Sequence, residues 1–258
     1  MLSDRFTGMS STPGTDAVSF AVVVPMANEA ADFHPFVDEL TNVMNSLNAG
    51  TVYFIVDQVS KDETLSLCNG LSDKDPRFVT LWSPENRNVV DAYMKGYRTA
   101  YRNGHRLILE MDAGLSHDPK AIPLFLTALN EGWECVFGSR FIRGGSMDHS
   151  TYVRIFLSKY GTILSNLLLG TRMHDMTSGF QGFRASVVRE FLDYRLLSKA
   201  HFYQTELRYL LREKRCVEIP IHYRAPSPRV SAGAVFNSIE VLLFYFRRRM
   251  TRRAAIIH

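Results

Sequence analysis

The stretch Leu107-Ile108-Leu109-Glu110-Met111-Asp112-Ala113-Gly114-Leu115-Ser116-His117-Asp118-Pro119 decides how the chain is read. Its apolar start carries an acidic residue, Asp112, to what should be the carboxyl end of a strand, the edge at which open α/β sheets bind their ligands. Asp118-Pro119 then reads as a helix start, because proline at the first helical position gives up no hydrogen bond. A strand ending in Asp before a helix is also compatible with plain capping, so the flanking sequence has to decide.

Working outward, strand-like runs recur at Phe20 to Val24, Val52 to Val56, Phe78 to Trp82, Arg106 to Met111 and Cys135 to Gly138. Helix-like stretches lie between them, around Asp32 to Asn48, Lys61 to Leu71, Asn88 to Asn103 and Lys120 to Glu131. That alternation predicts a mostly parallel, Rossmann-like α/β sheet with helices on both faces. After Gly144-Gly145, apolar residues from Tyr152 to Leu169 recur at helical spacing and predict a packed helix that Gly170 stops. Further helices are expected near Ala185 to Tyr194 and Tyr203 to Lys214, and a strand over Cys216 to Tyr223.

Composition bounds the rest. In 258 residues, 46% apolar content is ample for a sizeable core. Residues 1–17, rich in Ser, Thr, Gly and Asp, read as a flexible tail without a secretion signal. Cys68, Cys135 and Cys216 are odd in number and form no Cys-X-X-Cys pair, which argues against a disulfide frame or zinc site and for a reducing cytosol. Residues 236–258 combine Val241-Leu242-Leu243-Phe244-Tyr245-Phe246 with Arg247, Arg248, Arg249, Arg252 and Arg253. That apolar run is far shorter than the roughly 20 residues a bilayer requires. It fits either a basic amphipathic helix lying on anionic lipid or a core helix with a solvated basic end. Nucleic acid is not an expected partner, since no stacking platform or recognised motif accompanies the arginines.

Glu29, after Val24-Pro25-Met26-Ala27-Asn28, and Asp57, after Ile55-Val56, fall at the same edge of the sheet as Asp112. Carboxylates there can accept from base N–H or ribose hydroxyl groups, although Ser60 or Asp62 could equally serve to cap the next helix.

In order and spacing these pieces resemble the family-two glycosyltransferases with a GT-A fold, and within them the dolichyl-phosphate mannose synthase and polyprenyl-phosphate sugar synthase group. The resemblance runs from Ser19 to about Val241. It rests on Pro25 to Glu29, on Val56-Asp57 with Ser60, Asp62 and Thr64, on Ala92 and Gly96, and on Met111-Asp112-Ala113. Gly138-Ser139-Arg140, Gly144-Gly145, Arg154, Thr177-Ser178-Gly179-Phe180, Phe183-Arg184, Glu206, Glu218 to Ile221 and Tyr223-Arg224 continue it.

The resemblance implies a GT-A domain over residues 18–235 and a nucleotide-sugar donor, a GDP- or UDP-hexose. Pro25, Ala27, Glu29, Val56 and Asp57 would hold base and ribose, and Asp112, Ala113, Gly114 and Ser116 would meet the diphosphate. Arg140, Arg224 and Arg229 match cationic positions near the phosphates, while Arg154 and Ser178 fall on the acceptor side. Catalysis would engage Asp112 and Arg140, with Asp175 orienting the acceptor or an arginine. A divalent metal, Mg2+ or Mn2+, is implied at Asp112 and Ser116. Two departures weaken that metal site: Gln58 stands where the family has a second acid, and Gly114 and Ser116 stand where it has Asp and Gln.

A lipid phosphate is already anionic and needs no general base, and the chain has no Gln-X-X-Arg-Trp run, so a polyprenyl or dolichyl phosphate is the expected acceptor, met by a peripheral enzyme at the cytosolic face of a membrane. Transfer to a glycan or glycolipid hydroxyl, with Asp175 or another carboxylate as base, and non-catalytic nucleotide-sugar binding are the alternatives.

Overall fold

The computed structural model describes residues 18–47, 50–148, 150–224 and 231–251. The expected tail at 1–17, Arg229, and Arg252 and Arg253 lie outside them.

In chain order the strands are β1 (Phe20–Met26), β2 (Thr51–Val56), β3 (Phe78–Trp82), β4 (Leu107–Glu110), β5 (Cys135–Ser139), β6 (Ser146–Met147), β7 (Gln181–Arg184), β8 (Cys216–Pro220) and β9 (His222–Tyr223). Seven of them form one sheet ordered β3-β2-β1-β4-β7-β5-β8, and β6 pairs separately with β9. β7 alone runs antiparallel, to β4 and β5; the other pairings in the sheet are parallel. β1 and β2 read as unbroken apolar runs because a parallel sheet covered on both faces has no solvent side.

The helices are α1 (Phe33–Ser46), α2 (Thr64–Ser72), α3 (Val89–Arg102), α4 (Ile122–Asn130), α5 (Tyr152–Leu169), α6 (Ala185–Phe191), α7 (Tyr203–Leu210) and α8 (Ala232–Met250). α1, α2 and α4 bury Phe36, Leu40, Cys68 and Phe125 in the core on one face of the sheet. α3, α6 and α7 bury Tyr93, Tyr97, Phe191 and Leu207 on the other. Asn88 starts α3 by accepting from the N–H groups of Val90 and Asp91, and Gly96 lets that helix lie directly on Val23 of β1.

Three expectations are corrected. The strand expected over Cys216 to Tyr223 breaks after Pro220, and its last two residues leave the sheet to pair with β6. β7 was not anticipated: it is four residues long, and Gly182, with Leu109 and Phe125 packed over it, removes the side-chain pattern that marks a strand. The helix at Tyr152 to Leu169 is packed on one side only, burying Thr162, Ser165 and Leu169 while Tyr152, Val153, Leu157, Ile163 and Leu167 face outward. α8 starts at Ala232, packs Val241, Leu242 and Tyr245 against Leu169 and Met176, and exposes Phe236 and Ile239.

Candidate active site

Strand order reverses between β1 and β4, and the crevice beyond their carboxyl ends is where such sheets take ligands. The loops after β1 and β2 are tied across it. Asn28, at φ 59°, donates its N–H to Ser60 Oγ (3.1 Å) and accepts from the Lys61 N–H (2.8 Å). The Glu29 N–H donates to Thr64 Oγ1 (2.8 Å) and the Ala30 N–H to Asp62 Oδ2 (3.0 Å). Ser60, Asp62 and Thr64 thus serve as a loop clasp. The Thr64 hydroxyl is the main cause holding Asp62 down to about 2. Asp57 is buried at the end of β2 and accepts the N–H of Val59 (2.9 Å).

Asp112, two residues past β4, is oriented from both sides. Tyr93 donates its hydroxyl to Oδ1 (2.5 Å), and the Asp112 backbone N–H donates to Nδ1 of buried His117 (3.1 Å). Nδ1 is therefore an acceptor, the imidazole is neutral with its proton on Nε2, and the 3.8 Å approach of Nδ1 to Asp112 Oδ2 is no ion pair. Burial favours that neutral ring and lowers the His117 pKa. Burial also opposes ionisation of Asp112, but the hydrogen bond from the Tyr93 hydroxyl and the positive charge of Arg140 favour the carboxylate, and the carboxyl is held below its usual range. Gly179 leaves room beside it: a Cβ there would come within 2.8 Å of both Asp112 Oδ2 and Gln204 Nε2 and push those side-chain tips aside.

Behind Asp112, Glu110 is fully buried and accepts from the hydroxyls of Tyr97 (2.6 Å) and Tyr203 (2.5 Å). Burial pushes its carboxyl up to about 8. It fastens α3 and α7 to β4 and so fixes the base on which Asp112 stands.

On the other flank, Arg140 follows β5 and meets Asp175 in a two-pronged buried pair, Nε to Oδ2 at 2.7 Å and Nη2 to Oδ1 at 2.8 Å. Asp175 also accepts the N–H of Arg140 and of Thr177, and Arg140 Nη2 reaches Thr177 Oγ1 (2.6 Å). Against the cost of burial, Arg140 holds Asp175 below the usual carboxylate range, so Asp175 positions Arg140 and is not a poised base. The Arg140 and Arg154 guanidiniums approach the Tyr223 ring to 5.6 and 5.5 Å. Buried Ser178 presents its carbonyl to Arg208 (2.8 Å). Arg224 donates its backbone N–H to the Ser116 carbonyl (2.9 Å), so it borders the loop expected at the diphosphate, while its guanidinium is held by Glu39 in α1 and by Asp118 (3.4 Å).

Pro25 lies in β1 and Val56 ends β2, with Ala27 exposed at the mouth of the crevice. Ala113 is buried, and the Ser116 carbonyl accepts from the Arg224 N–H. Sequence reasoning missed Tyr93 and assigned His117 no part in the site. The only signal for Tyr93 is its recurrence with Tyr97 on one face of α3.

The metal question turns on Gly114, at φ 70°, whose Cβ would lie 3.1 Å from Glu29 Oε2. The space a second acid would enter is therefore bordered by the Glu29 carboxylate. Burial and the charges of Asp32, Asp112 and Asp62 push Glu29 up to about 7. Among the described residues no group of three His, Cys, Asp or Glu side chains could hold an ion alone. This donor set fits a hard cation completed by substrate oxygens and water, as Mg2+ often is, and not a resident ion.

The doubly wound sheet and its acid-lined crevice are those of a GT-A transferase. Glucosyl-3-phosphoglycerate synthase of Mycobacterium tuberculosis, solved with Mn2+, UDP and glucosyl-3-phosphoglycerate, has the same fold: TM-score 0.65 at 13% identity, over 92% of this chain and 86% of that one. Residues 21–192 match the model of Glycosyl transferase family 2, and the chain belongs to that family; it is a glycosyltransferase. Polyprenol monophosphomannose synthase of Mycolicibacterium smegmatis is 28% identical over 243 residues, 92% of this chain and 90% of that protein. Undecaprenyl-phosphate mannosyltransferase of Micrococcus luteus is 29% identical over 190 residues, 72% of this chain and 78% of that protein.

Proposed function

We propose that this glycosyltransferase moves a hexose from a GDP- or UDP-sugar to the phosphate of a polyprenyl or dolichyl lipid, with inversion, at the cytosolic face of a membrane. The observation that carries the reading is the convergence of Arg140 and Arg154 on Tyr223 beside the start of α5, whose outward face is apolar. A phosphate held by the Arg154 guanidinium beside that ring would have its hydrocarbon tail lying along that helix. The relatives named for polyprenol and undecaprenyl phosphate support the same acceptor.

In the reaction an acceptor phosphate oxygen bonds to the anomeric carbon as the bond to the nucleoside diphosphate breaks, and one in-line displacement inverts the centre. Glu29 and Asp57 would position base and ribose. Arg140, held rigid by Asp175, would face the charge that grows on the departing diphosphate, where a preorganised cation acts more strongly on the transition state than on the ground state. A divalent cation held by Asp112, the Ser116 hydroxyl and the diphosphate would supply further charge neutralisation.

Among the described residues no helix is long and apolar enough to cross a membrane. The outward faces of α5 and α8 and the arginines ending α8 support attachment to an anionic surface instead. Incubation with labelled GDP-mannose or UDP-glucose and either a polyprenyl phosphate or a sugar alcohol tests the acceptor. A mild-acid-labile lipid product is expected, and transfer to the alcohol alone would overturn the reading.

A further inference from the structure

β8 is an edge strand of the sheet, and a cavity of about 380 Å3 lies between it, the segment 170–173 and the end of α7. Arg172, Arg208 and Arg212 line it together with Glu213 and Glu218. Arg208 is 1% exposed; its terminal nitrogens donate to the carbonyls of Met176 and Ser178, while its Nε–H is buried without a hydrogen-bond partner among the described residues. Arg172 is exposed and has no hydrogen bond or ion pair among the described residues. The two acids do not balance these charges locally. Glu218 already accepts from the N–H and Nδ1 of His174 and from the N–H of Asp175, and Glu213, its side chain 84% exposed, is ion-paired among the described residues with Arg212 alone.

We propose that this cavity is a second anion site, separate from the donor crevice, that takes a phosphate group. Guanidinium forks match phosphate oxygens, and a buried N–H without a partner is satisfied by an incoming oxygen. The phosphate has two possible sources, a free phosphate compound or an anionic lipid headgroup. Arg249 of α8 donates to the carbonyls of Leu167 and Leu168, so the basic end of that helix lies beside the cavity. Occupancy would be felt at the reaction centre, because Arg208 and Glu218 hold the backbone of the same segment that presents Asp175 to Arg140.

Arginine side-chain 15N–1H spectra of the full chain test this, titrated separately with inorganic phosphate and with monomeric dihexanoyl-phosphatidylglycerol. The Arg208 Nε–H signal should move saturably, with affinity reduced at least tenfold in R172A/R212A and unchanged in the control R102A. Movement with phosphate alone assigns a free ligand, and movement with the lipid alone assigns a headgroup. An Arg208 signal that neither probe moves, or that moves equally in R172A/R212A, overturns the proposal.

Discussion

Replacing Asp175 by Asn keeps the shape of the side chain and removes its charge. Asp175 is fully buried and accepts from Arg140 Nε, Nη2 and N–H and from the Thr177 N–H, and the Arg140 side chain is only 4% exposed. The amide would turn one acceptor into a donor facing other donors, and Arg140 would become a buried charge without a counter-ion. Removing one partner of such a pair costs about 3–5 kcal/mol, on the order of 10 °C in Tm for a chain of this size. Urea denaturation at pH 7 measures it. The pH dependence gives a second reading: Asp175 has a depressed folded pKa, so its contribution is present above the usual carboxylate value and is lost as pH falls through the folded one. Acid destabilisation below about pH 4 should therefore be shallower in D175N. R140M/D175L, which removes both charges, should recover most of the loss. A cost for D175N below about 1 kcal/mol, with an unchanged acid limb, would refute the account of this pair.

The G179A variant would place a Cβ 2.8 Å from Asp112 Oδ2 and Gln204 Nε2, so UDP or GDP affinity should fall about tenfold with the circular dichroism spectrum retained, as read by calorimetry. Glu29 titrates near 7 when folded against its ordinary 4.5, so the folded chain loses stability as pH rises through that window. After solvent screening of this half-buried carboxylate, the loss is about 1–2 kcal/mol, and E29Q should flatten it in denaturation at pH 5 and pH 8. G114D accepts about 1 kcal/mol of left-handed backbone strain and adds a carboxylate beside Glu29, so Mn2+ affinity in the presence of UDP should rise about tenfold by electron paramagnetic resonance; an unchanged Kd would count against a cation at this position. Phe156 and Phe236 are 54% and 64% exposed, and F156D/F236D should lower sedimentation with phosphatidylglycerol vesicles by more than tenfold, since each buried phenylalanine is worth about 1.5–3 kcal/mol.

The parallel half of the fold was readable because β1, β2 and β4 are apolar runs closed by punctuation residues, and that reading needs only local chemistry. β7 was not, because a central four-residue strand containing Gly182 is recognised by the neighbours packed over it. The periodicity of α5 correctly announced a helix with an apolar stripe, yet periodicity carries no information on what covers the stripe. At the site, Glu29, Asp57 and Asp112 could be placed at one edge from strand ends alone. The attachment of Arg224 to Glu39 joins residues 185 positions apart, and Tyr93 reaches Asp112 from a different element. Such partners are set by tertiary geometry and leave no local signature.

Arg249 staples the end of α8 to the last carbonyls of α5, and the two helices pack along each other. If they rest on lipid, they do so as one rigid raft, with the catalytic crevice at a fixed height and tilt. A substrate drifting laterally in the leaflet would then be presented head first, and only its phosphate and first isoprene units would meet the protein. Discrimination by overall isoprenoid length should consequently be slight, with the bilayer, not the enzyme, solvating the remainder.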